Sequence, residues 1–128
     1  MIVVDASLVV DAVTGVATAV QRVSADELAA PSVVDAEVGW ALRRMESARV
    51  LDPVLARMAL ADLADLDLLR FDHPALLPRA WELRHTVSFA DGLYVALAEQ
   101  LDVPLVTLDG RLASAPGLRA AVEVLPRG

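Results

Sequence analysis

A chain of 128 residues has room for one domain and one core, and at 56% hydrophobic with only 4% aromatic residues that core must be aliphatic. The chain has no Cys, which excludes disulfides, thiolate catalysis and Cys-bound zinc, and no Lys, which excludes any mechanism that needs one. Its net charge of −7, with all eleven basic residues Arg, argues against simple charge-driven nucleic-acid binding, although bound divalent cations would cancel part of the excess and Arg is the better bidentate phosphate ligand.

In chain order, Ile2–Val4 is short, β-branched and followed by Asp5, and reads as a buried strand. Residues 7–14 and 16–23 read as two short helices broken at Gly15. Residues 27–30 suggest a second strand, ended by Pro31. Ser32 then caps a helix running to about residue 48, with Val34, Val38, Ala41, Leu42 and Met45 at helical spacing. Pro53 opens the next helix, which runs to about Asp67. Leu68–Phe71 is a third strand. Pro78 opens a helix ending near Thr86, with His85 late in it. Ser88 caps a helix over 90–101 that is apolar on most faces and therefore buried. Residues 105–108 form a fourth strand, a short helix follows Asp109, and 122–125 close the sheet. Strands alternating with helices imply one α/β domain over 1–128, its parallel sheet covered on both faces. No apolar run reaches the roughly 18 residues of a membrane helix, and residues 1–5 lack the charge and length of a signal peptide. A cytoplasmic protein with no membrane contact is expected.

Four acids fall at informative places. Asp5 and Asp109 sit just past the carboxyl ends of two strands, the edge where open α/β sheets bind ligands. Glu37 and Asp91 lie near the starts of two long helices. Carboxylates gathered from four segments repel one another and should raise one another's pKa values unless a cation holds them. Mg²⁺ or Mn²⁺ is the natural choice, since both prefer oxygen ligands. The set therefore points to a metal-dependent phosphodiesterase.

Each acid has a local alternative. Asp5 can make an Asx turn, and Asp109 can cap the helix after it. Ser88-Phe89-Ala90-Asp91 matches a capping box, as does Ser32-Val33-Val34-Asp35. Glu37 lies too deep in its helix to cap it and shares a face with Trp40, Ala41 and Arg44, so Glu37 rather than Asp35 is the expected ligand. His73 and His85 share no metal-ligand spacing and read as ordinary surface or core residues. Arg43 and Arg44 form a basic pair that is either a solvated face or a phosphate or partner contact. There is no nucleophile elbow and no Gly-rich phosphate loop.

Val3-Val4-Asp5-Ala6-Ser7, the helix from Asp35-Ala36-Glu37 to Arg43-Arg44, Ser88-Phe89-Ala90-Asp91-Gly92-Leu93-Tyr94 and Val106-Thr107-Leu108-Asp109-Gly110-Arg111 together resemble the PIN-domain ribonucleases, and most of all the VapC toxins of bacterial type II toxin–antitoxin systems. The resemblance covers almost the whole chain. It implies a three-layer α/β/α sandwich around a short, mainly parallel sheet. It also implies Mg²⁺- or Mn²⁺-dependent endonucleolytic cleavage of RNA, with Asp5, Glu37, Asp91 and Asp109 as the acidic quartet. Asp5 and Asp91 would hold the main ion, with Glu37 and Asp109 completing the set. Ser7 and Thr107 match the hydroxyls that orient the carboxylates. A VapB-like antitoxin is the implied partner, and a homodimer the implied assembly. Some members carry a further acid just after the Thr-x-Asp turn; here Gly110 and Arg111 stand there, so a second ion would be held more weakly. A phosphoacceptor or haloacid-dehalogenase-like enzyme would need the missing Lys, and Ser7 replaces the second Asp of the dehalogenase motif. A non-catalytic PIN-like interaction module is the remaining alternative.

Overall fold

The computed structural model describes residues 1–127. It holds five strands, β1 (Ile2–Val4), β2 (Leu28–Pro31), β3 (Leu68–Phe71), β4 (Leu105–Thr107) and β5 (Val122–Val124), in one sheet of order β3-β2-β1-β4-β5. Every pairing is parallel. Seven α-helices connect the strands: α1 (Ala6–Val13), α2 (Ala17–Ser24), α3 (Val33–Ser47), α4 (Pro53–Asp65), α5 (Leu77–Glu82), α6 (Phe89–Leu101) and α7 (Gly110–Ser114). The first three strands step one way across the sheet and the last two step back on the other side of β1. Crossovers of one hand therefore put α1–α4 on one face and α5–α6 on the other. The packing agrees: α1 contacts α2, α3 and α4, and α5 packs on α6. The α/β sandwich expected from the sequence is what forms.

The central strands are apolar along their length because both faces are covered, and Val3, Val4, Ala29, Ala30, Leu105 and Val106 are fully buried. On α6, Gly92–Ala98 are all buried, as the apolar character of that helix predicted. Burying Leu93, Val95 and Leu97 there stabilises the fold by ~1.5–3 kcal/mol each. Gly92 lets α6 approach α5 closely: a Cβ at that position would lie 3.1 Å from the Ala80 Cα and 3.2 Å from its carbonyl oxygen. Gly15 has φ +88°, a left-handed conformation that breaks the chain between α1 and α2 where the sequence placed the break.

Some boundaries differ from the expectation for physical reasons. Pro31 does not end β2 from outside but is its last residue, paired with Phe71; lacking an N–H, it leaves the next donation to Ser32, whose amide bonds the Phe71 carbonyl. Pro78 is the second residue of α5, which is preceded by a 3₁₀ turn at Pro74–Leu76 and ends at Glu82, so His85 lies in an exposed turn rather than in a helix. Helix α4 stops at Asp65. Among the described residues no single helix is long and apolar enough to cross a membrane.

Candidate active site

The sheet order makes the site. Strand β1 is flanked by β2, reached through α1 and α2, and by β4, reached from the other direction. The chain reverses its direction across the sheet at this pair, which opens a crevice beyond the carboxyl ends of β1 and β4. Asp5 leaves β1 into that crevice and Asp109 follows β4 by two residues.

Asp5 is only 6% exposed and fully partnered. Its Oδ1 accepts from the Ser7 hydroxyl at 2.7 Å and from the Leu8 amide at 3.2 Å, and its Oδ2 accepts from the Thr107 hydroxyl. These two hydroxyls also stitch the strand ends together. Ser7 Oγ accepts from the Leu108 amide at 3.2 Å, and Thr107 Oγ1 accepts from the Asp109 amide at 2.9 Å. The family resemblance implied a supporting place for Ser7 and Thr107; in the structure both hydroxyls donate to Asp5.

Helix α6 begins over the same edge. Its N-cap Ser88 accepts from the Asp91 amide at 3.1 Å, and the half-buried Asp91 carboxylate faces the crevice region shared with Asp109. On α3, Glu37 accepts a 2.7 Å hydrogen bond from the hydroxyl of Tyr94, whose side chain is buried on α6. This bond joins the two helical layers at the carboxyl edge. Tyr94 carries a role that the sequence reading left unassigned. The available signal was its spacing: Tyr94 is three residues after Asp91, hence on the same helix face.

Two local expectations are corrected. Ser32 and Asp35 do not form a capping box: Ser32 is itself helical and makes no side-chain cap. The α3 terminus is capped instead by His73, whose Nε2 accepts from the Val33 amide at 3.2 Å. The carboxylate of Asp35 is gripped by Arg70, with Nε at 2.8 and 3.0 Å from its oxygens and a further bond of 2.9 Å from Nη2. Asp35 is therefore engaged at the end of β3, and Glu37 is the acid of α3 that faces the site.

The electrostatics follow from burial and crowding. Burial, more than anything else, pushes the Asp5 carboxyl above its ordinary value, against its three hydrogen bonds, and Asp109 adds to the rise. Asp91 is raised by burial, then by Asp5 and Asp109. Glu37 is raised by burial, then by Asp91 and Asp5, while the Tyr94 bond works against the shift. The mutual elevation expected of a carboxylate cluster thus holds for three of the four. Asp109 goes the other way: the Arg111 guanidinium clamps it from Nε and Nη2, both at 3.1 Å, the Arg111 amide caps it at 2.9 Å, and its carboxyl is held below the usual range.

The four acids sense one another's charge, yet among the described residues no three Asp, Glu or His side chains converge into a closed metal-binding group. Two hollows flank Asp5. One, of about 270 Å³, is lined by Ser88, Asp91, Asp109 and Arg111. The other, of about 500 Å³, runs from Ser7 and Glu37 past Trp40 to Arg44 and Arg127. A larger hollow, about 660 Å³, lies at the opposite, amino edge of the sheet around Asp26, Glu27 and Asp67; it has none of these converging groups.

A model of the PIN domain matches residues 2–118. Ribonuclease VapC1 of Mycobacterium tuberculosis is 45% identical over 128 residues, covering 96% of both chains. Ribonuclease VapC9 of the same species is 38% identical over 127 residues, covering 99% of this chain and all of the relative. Among solved structures, VapBC2 from Rickettsia felis, bound to a DNA fragment from their promoter, superposes with a TM-score of 0.72 at 17% identity, covering 98% of this chain and 99% of that one; it bears on the fold alone.

Proposed function

The chain belongs to the PIN-domain family, and from that premise we propose that it is a divalent-metal-dependent endoribonuclease acting as the toxin of a toxin–antitoxin pair. The observation that carries the chemistry is Asp5. A carboxylate is buried at the crevice between β1 and β4, held by two hydroxyls, with three more acids within electrostatic reach. The names of the relatives, Ribonuclease VapC1 and VapC9, support RNA as the substrate.

The donor set fits Mg²⁺ or Mn²⁺ by its chemistry. It offers carboxylate oxygens only, and three of the four carboxyls are raised, by burial first and by neighbouring carboxylates second, as a bound cation would offset. Asp5 and Asp91 would hold the ion, with Glu37 and Asp109 completing the set. When bound, such an ion supplies a more acidic water and stabilises charge on phosphoryl oxygens.

The chain's own residues prepare the crevice for that chemistry. Ser7 and Thr107 spend their hydroxyl protons on Asp5, favouring its charged form and fixing its plane. Tyr94 fixes Glu37 in the same way. The Arg111 side chain, 93% exposed, neutralises Asp109 and is free to exchange that partner for a substrate phosphate. Partner binding is part of the same reading. The exposed Val54, Leu55 and Met58 along α4 offer an apolar surface that a VapB-like antitoxin or a second copy of the chain would cover.

The test is cleavage of a single-stranded RNA by the purified chain with and without EDTA. Activity should require added Mg²⁺ or Mn²⁺. Asp91→Asn should abolish it while the far-ultraviolet circular dichroism is unchanged. Cleavage that survives EDTA, or an Asp91→Asn variant as active as its parent, would remove the metal mechanism. A parent chain that binds no Mn²⁺ calorimetrically would favour the interaction module.

A further inference from the structure

The cleft beside Glu37 carries chemistry that the carboxylates do not use. Both Trp side chains are exposed, Trp40 at 63% and Trp81 at 60%, but Trp81 is covered by Arg84 at 4.4 Å from its ring, whereas Trp40 lines the hollow that begins at Glu37. Glu37, Trp40 and Arg44 stand at i, i+3 and i+7 on α3, so they share one face and span ~10 Å along the helix. The hollow of about 500 Å³ that starts at Ser7 and Glu37 has Trp40 on its wall and Arg44 and Arg127 at its far side. A second hollow, of about 470 Å³, opens on the other side of Trp40 and is lined by Arg43, Arg44 and Ser47. Trp40 and Arg44 belong to both. Arg127 is also close enough to lower the Asp109 carboxyl.

Charge selects the occupant. In a chain of net charge −7, three of the eleven Arg residues gather around this one indole. Arg22, Arg70 and Arg79 are each locked to carboxylates, whereas Arg43 and Arg44 make no ion pair among the described residues. An apolar partner helix would gain nothing from those guanidinium groups. A polyanion carrying flat rings would use both. Single-stranded nucleic acid is recognised in this way, with bases stacked on exposed aromatics and the backbone following Arg.

We infer that Trp40 is a stacking platform for one unpaired base of the substrate RNA, next to the bond that is cut, with Arg44 and Arg43 holding the flanking phosphates. The inference rests on the proposed ribonuclease reading for its substrate, and it adds a subsite that admits unstacked, single-stranded RNA and rejects duplex. Trp40 is a substrate-binding residue here and takes no part in bond breaking.

The test uses the full chain with Trp81→Phe, so that Trp40 is the sole indole, titrated in EDTA with an unstructured twelve-nucleotide oligoribonucleotide. Binding should quench the Trp40 emission. A duplex of the same sequence should compete at least tenfold less well, and Arg44→Ala should weaken the single-strand titration. In a parallel cleavage assay with Mn²⁺, Trp40→Ala should raise KM roughly tenfold, the scale of one lost stacked base, with kcat little changed, and Trp40→Phe should recover most of the loss. Because Trp40 is exposed, neither variant should disturb the fold, and an unchanged melting curve checks this. Failure to quench, equal competition by duplex, or an unchanged KM in Trp40→Ala would overturn the subsite even if the chain cleaves RNA. The same holds if Trp40→Ala weakens only the capture of a protein partner. If the parent does not cleave but the quenching occurs with single-strand preference, the single-strand-binding site stands, and its place beside a scissile bond falls with the ribonuclease reading.

Discussion

Replacing Asp5 by Asn separates the charge of this residue from its shape. Oδ1 keeps its bonds from the Ser7 hydroxyl and the Leu8 amide. The second oxygen becomes an NH₂ facing the Thr107 hydroxyl, which donates to Asp5 while accepting from the Asp109 amide. Two donors then meet, and one hydrogen bond is given up at a cost of about 1 kcal/mol. Against that loss, Asn removes a charge that burial opposes and that Asp109, Asp91 and Glu37 repel. Terms of opposite sign and similar size leave the metal-free variant within about 1 kcal/mol of its parent, a melting shift of roughly 3–6 °C at most for a chain of this length. Metal should separate the two proteins. At a concentration one hundred times Kd, a ligand stabilises the folded state by about 2.7 kcal/mol, so saturating Mn²⁺ should raise the parent's melting temperature by roughly 10 °C. The variant should not respond. Thermal unfolding followed by circular dichroism, in EDTA and in Mn²⁺, reads both numbers. A variant that gains the same increment from Mn²⁺ would refute Asp5 as a ligand. A variant unfolded at room temperature in EDTA would refute the hydrogen-bond accounting.

The pH dependence of the same pair has a definite sign. The folded state raises the Asp5 pKa, so between the unfolded and folded values the native protein binds more protons and loses stability as pH rises. Asn does not titrate, so in EDTA the stability of Asp5→Asn relative to its parent should increase as pH rises from the ordinary carboxylate range to neutrality; a flat difference in urea midpoints would contradict the shift. Arg111→Gln should bind Mn²⁺ a few-fold more tightly by calorimetry, because it releases Asp109 from an exposed clamp, and unchanged or weaker binding would show that the clamp does not compete with metal. Gly92→Ala should lower the urea midpoint, with a net loss of about 1 kcal/mol, because helix propensity gained is outweighed by contacts at 3.1–3.3 Å with Ala80. A raised midpoint would mean that α5 moves aside freely.

What could be read in the sequence was local. The apolar runs of β1 and β4, the break at Gly15, the Ser88 cap and the buried character of α6 all depend on residues within a few positions, and all appear in the fold. Glu37 rather than Asp35 faces the crevice, and the reason is not local. Asp35 is taken by Arg70, 35 residues away, and not by a capping box with Ser32. Likewise the partner of Glu37 is Tyr94, 57 residues on, and the cap of α3 is His73, 40 residues on. No periodicity announces such pairs; they exist because the crossover order brings β2, β3 and α6 to one edge. Arg111 is the instructive exception. Its clamp on Asp109 spans two residues, but a sequence cannot say whether an exposed guanidinium folds back on a neighbour or reaches into solvent.

Capping does not take these acids away from the crevice. Asp5 caps α1 through the Leu8 amide and Asp109 caps α7 through the Arg111 amide, while Asp91 sits in the first turn of α6. Three helices therefore begin at the crevice. Their N-terminal dipole ends supply partial positive charge where the carboxylates crowd, on the order of 0.3–1 kcal/mol for each acid so placed. With the Arg111 clamp on Asp109, this accounts for how the cluster survives without a cation. The consequence is that metal should be needed for catalysis and not for folding, unlike small domains whose structural ion is their folding energy. The chain in EDTA should keep its far-ultraviolet spectrum and a cooperative melt. Loss of both on chelation would mean that the helix ends do too little, and that an ion is part of the fold.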